Sequence, residues 1–575
     1  MVTNKYITRI ASVIMAAAVI LCLMASLFSD KLQEVYGNNA VTMKYESKLF
    51  STDQIMDIDI LMDEDDWNDM LENAISEEYY SCNVVVNGKT FYSVGIRPKG
   101  NTSLSSIVND PDTDRYSFKL EFDHYIEGQT CYGLDKLILN NNYADATNMK
   151  EAIVYDMYQY LGVDASLYNY AKISVNGDYR GVYLALEAVE DSFMLRNYGT
   201  EDGNLYKPES MGIGGGVDGK DGDGWQMEEK PDGEDFLQKG EMPDGEDFPQ
   251  KGEMPDGEDF PQMGEAPNGE AADIKMGIMG GNGGADLNYT DDDLDSYSTI
   301  WDDEITDTDK KDHKRVVEAL KNISEGTDLE TYMDIDNILK YMAVHTFVVN
   351  DDSLSGTMAH NYYLYEYNGR LNILPWDYNL SFGGMSMDGK MGGQSLGATS
   401  VINDAIDTPF SITDFFDALL ENEEYLEQYH EYLNELVEKY VNGGEFEKTY
   451  ERIRSQIDDL VGNDPTAFYS YEEYEEAANM LIEVVQLRVK SVSGQLAGTI
   501  PSTDEGQQQD SSNLIDGSDI DLSVMGSFSG GGGGNEGQGK DNGFAGTPQP
   551  FDAGDVSPIS EEKADLQDSN QDSVK

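Results

Sequence analysis

A stretch in the middle of the chain has too little to bury to join any core, and it divides everything that can. The unit PDGEDF begins at Pro231, Pro243 and Pro255, a period of 12, and a shortened copy, PNGE, begins at Pro267. Gly, Pro and acidic residues dominate from 209 to about 290, with few apolar groups to offset the entropy lost on ordering a backbone. The composition predicts a disordered insertion over 209–290, a solvated loop rather than a calcium site or an adhesive surface. An EF-hand at 218–229 fails on ligand spacing. The fold must therefore be assembled from two separated pieces, 42–208 and 291–498.

Both pieces carry periodic patterns. Residues 57–62 (DIDILM), 82–86 (CNVVV) and 116–122 (YSFKLEF) alternate or are β-branched and read as strands, with a short helical pattern over 66–73. Residues 148–161 (NMKEAIVYDMYQYL) place apolar side chains at helical spacing, and Gly162 is a stop. Strands at 171–175 and 181–186 flank Asn176-Gly177, a hairpin signal. In the second piece, 310–320 and 335–349 read as helices. The Tyr-rich strand 362–367, a turn at Asn368-Gly369 and a strand at 370–374 follow. Helical patterns then run from 412 to about 496. The fold class is α+β.

The ends differ from the body. Residues 10–28 are 19 uncharged, mainly apolar residues, long enough to cross a bilayer. Lys5 and Arg9 precede them and Asp30 follows, so the positive-inside rule exports the rest. Residues 1–30 are read as a membrane anchor, with a cleaved signal segment as the alternative. Residues 499–575, rich in Gly, Ser, Gln and Asp, are expected to be a disordered tail. The 110 acidic against 38 basic side chains give a formal charge of -72. That excludes nucleic acid, whose phosphates need Lys and Arg to displace counterions, and favours divalent cations and basic protein partners. Cys82 and Cys131 suit either a disulfide or two free thiols, and neither has zinc-ligand spacing.

The stretch 350–384, NDDSLSGTMAHNYYLYEYNGRLNILPWDYNLSFGG, carries the chemistry. Asp351 and Asp352 end an apolar helix. Asp377 follows a buried-looking strand, and the intervening hairpin folds it back toward that loop. Two carboxylates and the amide of Asn361 then converge. Oxygen ligands of this kind suit magnesium or manganese bridging phosphates. Phosphoryl transfer asks little more of a protein than such ligands, a carboxylate for the attacking hydroxyl and a cation on the phosphates. On the residues alone, Asp after a helix is equally a cap or turn residue.

HNYYLYEYNGRLNILPWDYNLSFGG resembles the CotH family, in which a hairpin ends in Pro-Trp-Asp. IRPKGNTSLSS at 96–106, FKLEF at 118–122 and VNGDYRGVYLALEAVEDSF at 175–193 resemble it too, in the same order. The resemblance implies an atypical protein kinase with a two-lobed fold: a β-rich N-terminal lobe over 42–208 and a helical C-terminal lobe over 291–498. It implies Asp352 as the catalytic aspartate and Asp377 as the metal-binding one, with Asn361 as a further ligand, and ATP with Mg or Mn as cofactors.

Kinases run in the order phosphate loop, strand with Lys, helix with Glu. By that order Arg97, Lys99, Gly100 and Asn101 form the phosphate-facing turn, Lys119 is the strand lysine and Glu151 the helix acid, though no GxGxxG is present. Bland alternatives stand beside these. Lys119 can face solvent, and Glu151 suits a helix N-terminus through the dipole. Arg97 and Lys99 have many surface acids to pair with, and Lys207 is a rival phosphate lysine. His360 reads as a packed or hydrogen-bonded residue, and Trp376 and Phe382 as core. Two functions follow: a membrane-held, extracytoplasmic kinase phosphorylating Ser or Thr on exported, coat or surface proteins, or a non-catalytic surface module keeping the same fold.

Overall fold

The computed structural model of the protein describes residues 40–208, 283–356, 358–385 and 397–528. Seven strands form in the first piece: β1 (Met56–Leu61), β2 (Tyr80–Val86), β3 (Lys89–Lys99), β4 (Ser117–Glu121), β5 (Lys136–Asn140), β6 (Tyr168–Val175) and β7 (Asp178–Glu187). They close into a barrel in the order β1-β2-β3-β4-β5-β7-β6. All neighbours are antiparallel except at the seam, where β1 runs parallel to β6 with Ile58 opposite Ile173. The Asn176-Gly177 hairpin turn has φ of 53° and 88°, the positive pair that Asn-Gly tolerates.

The α+β class stands, with one correction. A closed seven-stranded barrel is found in place of the clear two-lobed kinase layout, with a β-rich N-terminal lobe, expected from the resemblance. The cause is β1, whose alternation buries Met56, Ile58 and Ile60 inside and whose edge reaches β6. Closure leaves no unpaired edge.

Eight helices of eight or more residues form among the described residues: α1 (Glu64–Glu72), α2 (Lys150–Leu161), α3 (Asp191–Tyr198), α4 (Lys310–Ser324), α5 (Ile335–Val348), α6 (Glu423–Glu435), α7 (Glu445–Val461) and α8 (Tyr471–Leu496). Helix α5 is buried at every position but Asp336 and Lys340, as expected for a helix apolar all round. It forms the centre of a large helical core with α2, α6 and α8. A three-stranded sheet, β10 (Arg370–Pro375), β9 (Tyr362–Tyr367) and β8 (Asn204–Tyr206), lies at its side. The barrel interior is a second core, containing Ile58, Val84, Ile96, Phe118, Leu120, Leu137 and Leu139.

Two expected boundaries move. The second piece is packed into the fold from residue 283, ahead of the expected 291: Ala285 and Leu287 are buried, and the Tyr362 hydroxyl donates to the Ala285 carbonyl at 2.5 Å. The tail is built into the fold as far as residue 528. It forms a helix at Asp504–Gln509, and Met525 is buried in the helical core. The apolar run 10–28, the PDGEDF repeats and residues 529–575 lie outside the described residues. Among the described residues no helix is long and apolar enough to cross a membrane. Cys82 and Cys131 are both free and buried, and burial pushes each thiol up to about 12.

Candidate active site

Period-2 alternation decides what the outside of the barrel wall presents. In β3, β4 and β5 the residues Ile96, Phe118, Leu120, Leu137 and Leu139 point inward, which turns Arg97, Lys99, Lys119, Ile138 and Asn140 to the other face. Arg97 lies directly across from Lys119, and Lys119 from Ile138. This cationic face forms one wall of a cleft with about 340 Å³ of water-accessible space. The first turn of α2 brings Glu151, the loop after α5 brings Asp352 and Asn361, and the end of β10 leads into Asp377. Seven of the residues singled out in the sequence therefore line one cleft, Arg97, Lys99, Lys119, Glu151, Asp352, Asn361 and Asp377, joined by Gly100, Asn101 and His360.

Asp352 is held from two sides. His360 Nε2 lies 2.9 Å from its Oδ1. The Asn361 amide nitrogen donates to its Oδ2 at 3.0 Å and to its backbone carbonyl at 2.8 Å. A carboxylate has about four lone-pair sites, so acceptor capacity remains. With its nitrogen used, Asn361 has its Oδ1 to offer a cation. Backbone strain gathers here: Val349, Ala359, Asn361, Asp377 and Phe382 all have φ between 46° and 59°. Such left-handed non-glycine residues concentrate at sites where geometry is imposed by function. Trp376 and Phe382 are buried in the core, as expected.

The electrostatics depart from the expected kinase order. Lys119 does not pair with Glu151; its Nζ sits 2.9 Å from Glu190, which also pairs with Lys136. Burial raises Glu190, but the two lysines outweigh it and hold its carboxyl below the usual range. Arg97 pairs with Glu77 and lies 5.4 Å from the Tyr79 ring centroid. The lysine beside Glu151 is Lys99, and Asn140 stands between them. Lys99 Nζ donates to Asn140 Oδ1 at 3.3 Å, and Asn140 Nδ2 donates to Glu151 Oε2 at 2.9 Å. Glu151 is 3% exposed, and burial, then the Asp377 charge, push its carboxyl up to about 8. Burial also raises Asp377, with Lys99 opposing, and lowers Lys99, with Asp377 opposing.

Sequence reasoning missed Asn140 and Glu190. Asn140 ends β5, a short apolar strand without clear alternation, and Glu190 immediately precedes α3 just beyond β7, its side chain making no capping hydrogen bond. It also missed the C-terminal segment. The Ala146 amide donates to the Met525 carbonyl at 3.1 Å, and the Phe528 amide to the Gly384 carbonyl at 3.0 Å. Phe528 thereby joins Tyr143, Leu380 and Met385 on the cleft lining. Lys207, the rival lysine, lines the same cleft.

Fold and site together define an α+β protein in which a cationic barrel wall faces a strained loop carrying carboxylates. Residues 96–492 match the model of the CotH kinase protein family, and this is more than half of the chain. The chain belongs to that family. No curated protein matches it.

Proposed function

We propose that the protein is an ATP-dependent protein kinase acting on Ser or Thr hydroxyls of exported, coat or surface proteins. The observation that carries this is the convergence of Asp352, Asp377 and Lys99 in one cleft, from stretches far apart in the chain. In this reading Asp352 accepts the proton of the acceptor hydroxyl as its oxygen bonds to the γ-phosphorus and the bond to the departing ADP oxygen breaks. Lys99 and Lys207 face phosphate oxygens, while Arg97 and Lys119 on the same wall are tied to Glu77 and Glu190.

The donor set supports a hard divalent cation, since Asp377 and Asn361 both offer oxygen. Among the described residues no three Asp, Glu, His or Cys side chains form a closed cage. A cation held by Asp377 and Asn361 would thus complete its shell with phosphate oxygens and water, as Mg²⁺ usually does. When bound, Mg²⁺ or Mn²⁺ supplies charge neutralisation on the phosphates.

The formal charge of -72 supports basic acceptor proteins. The flanking charges of the run 10–28 support a membrane-held body outside the cytoplasm. The test is incubation of the purified protein with γ-labelled ATP, Mn²⁺ and a basic acceptor protein. Label on Ser or Thr of the acceptor supports the reading. Nucleotide binding without transfer to any protein would favour the binding-module alternative.

A further inference from the structure

We propose that His345 is a positioning residue: its two ring nitrogens tie the loop bearing Asp352 to the loop bearing Asp377, and so set the spacing of the two carboxylates. The catalytic meaning of this inference rests on the kinase reading, while its geometry does not.

His345 lies in the last turn of α5, is 2% exposed, and stacks on Phe410 at 5.1 Å and on Tyr341 at 5.5 Å between ring centroids. Its Nδ1 lies 3.0 Å from the hydroxyl of Tyr378, the residue next to Asp377. Its Nε2 lies 2.7 Å from Oγ of Ser355, in the loop that carries Asp352. The Tyr378 hydroxyl meets that of Tyr158, on α2, at 2.6 Å. At the other end, Ser355 Oγ donates to the Asn350 carbonyl at 3.1 Å. One buried imidazole thus joins α2 to both loops of the site.

The direction of each bond in this relay follows from its end. The Asn350 carbonyl can only accept, so it takes the single Ser355 proton. Ser355 Oγ then accepts from His345 Nε2–H. Burial pushes the imidazole down to about 3, so the ring is neutral and carries one N–H. Nδ1 therefore accepts from Tyr378, and Tyr378 from Tyr158. A main-chain bond also rests the Asp377 loop on α5, from the Phe382 amide to the Val348 carbonyl at 2.7 Å. It acts further along the loop, whereas Tyr378 adjoins Asp377, whose φ of 58° has to be held against strain. Transfer needs a hydroxyl at Asp352 aligned with a phosphate at Asp377, and a displacement of about 1 Å can cost about 10²-fold.

The experiment compares the full-length wild type with Tyr378→Phe, Ser355→Ala, the double variant and Ser355→Thr, each below its melting temperature. Transfer from γ-labelled ATP to a basic acceptor protein is measured beside calorimetric binding of a non-hydrolysable ATP analogue with Mn²⁺. Crystal structures give the Asp352–Asp377 separation. Loss of either hydroxyl is expected to lower transfer by about 10–100-fold with analogue affinity unchanged. The double variant is expected to lose no more than the worse single one, because one cut already breaks the tie. Ser355→Thr keeps the hydroxyl and should recover most of the activity. A merely structural role would lower the melting temperature and leave transfer intact. Wild-type transfer by either single variant, a loss of transfer matched by a loss of analogue affinity, or a double loss equal to the product of the single ones overturns the inference. If the wild type transfers no phosphate, the kinase reading fails. The Ser355→Ala structure then decides the tie alone: a changed Asp352–Asp377 separation supports it and an unchanged one refutes it.

Discussion

Asn361 grips Asp352 twice, its amide nitrogen 2.8 Å from the backbone carbonyl and 3.0 Å from Oδ2. The loop after α5 is thereby locked to the start of β9, and the carboxylate keeps one orientation. Asn361→Ala is expected to lower turnover by about 10–100-fold, at or below the low end of the roughly 10²–10⁴-fold range for a general base, because the base is misaligned and not removed. Thermal stability should change little, since the grip lies at the cleft and not in the core. A variant with wild-type turnover would show that Asp352 needs no fixing.

Glu151 makes stability depend on pH. Its folded carboxyl is raised to about 8, above the ordinary value of 4.5, by burial and by Asp377. Between those values the folded state holds a proton that the unfolded state has released. Its contribution therefore declines as pH rises from about 4.5 to about 8 and levels off above. Glu151→Gln cannot titrate. Its melting temperature relative to wild type should climb across that window, in a pH series of thermal unfolding. A difference that stays flat would mean that Glu151 ionises normally.

The segment after Pro501 contributes stability even though its composition reads as a tail. Met525 is 1% exposed in the helical core, and truncating such a side chain costs about 2–5 kcal/mol. Gly526 has φ of 82°, and a Cβ there would lie 2.5 Å from the Ala144 carbonyl oxygen. Met525→Ala and Gly526→Ala should both unfold at lower denaturant than wild type. A chain ending at residue 500 that unfolds at the wild-type midpoint would contradict this packing.

Much of the site was legible because it obeys local rules. The alternation in FKLEF placed Lys119 opposite the barrel core, the apolar helix before Asp352 ended where expected, and the Asn368-Gly369 turn brought Asp377 back. Long-range facts were not legible. Nothing in MDIDIL says that β1 will pair in parallel with β6 and close a barrel. Lys119 alternates outward in any register, but its choice of Glu190 over Glu151 depends on how β7 runs into α3. The ordered C-terminal segment had only a faint signal, the sparse Ile515, Ile520, Leu522, Val524 and Met525 among Gly, Ser and Asp.

Placement relative to the membrane is checked by fractionation. The full-length protein is expected with the membranes, and protease added outside whole cells should digest the body. Intact protein in the cytosol would rule out the proposed export.

The most direct measurement of the central claim is phosphoryl transfer by Asp352→Asn and Asp377→Ala, each paired with metal-dependent ATP binding. The two carboxylates have different tasks, so the variants should fail differently. Asp377→Ala loses a charged metal ligand, and both ATP binding in Mn²⁺ and transfer should weaken. Asp352→Asn keeps its shape and its Asn361 contact to the backbone but loses the proton acceptor. ATP should bind as in wild type while transfer falls by about 10²–10⁴-fold. Transfer at the wild-type rate by Asp352→Asn would contradict its role and make Asp351 the next residue to test, and full activity in the double variant would contradict the kinase reading of this cleft altogether.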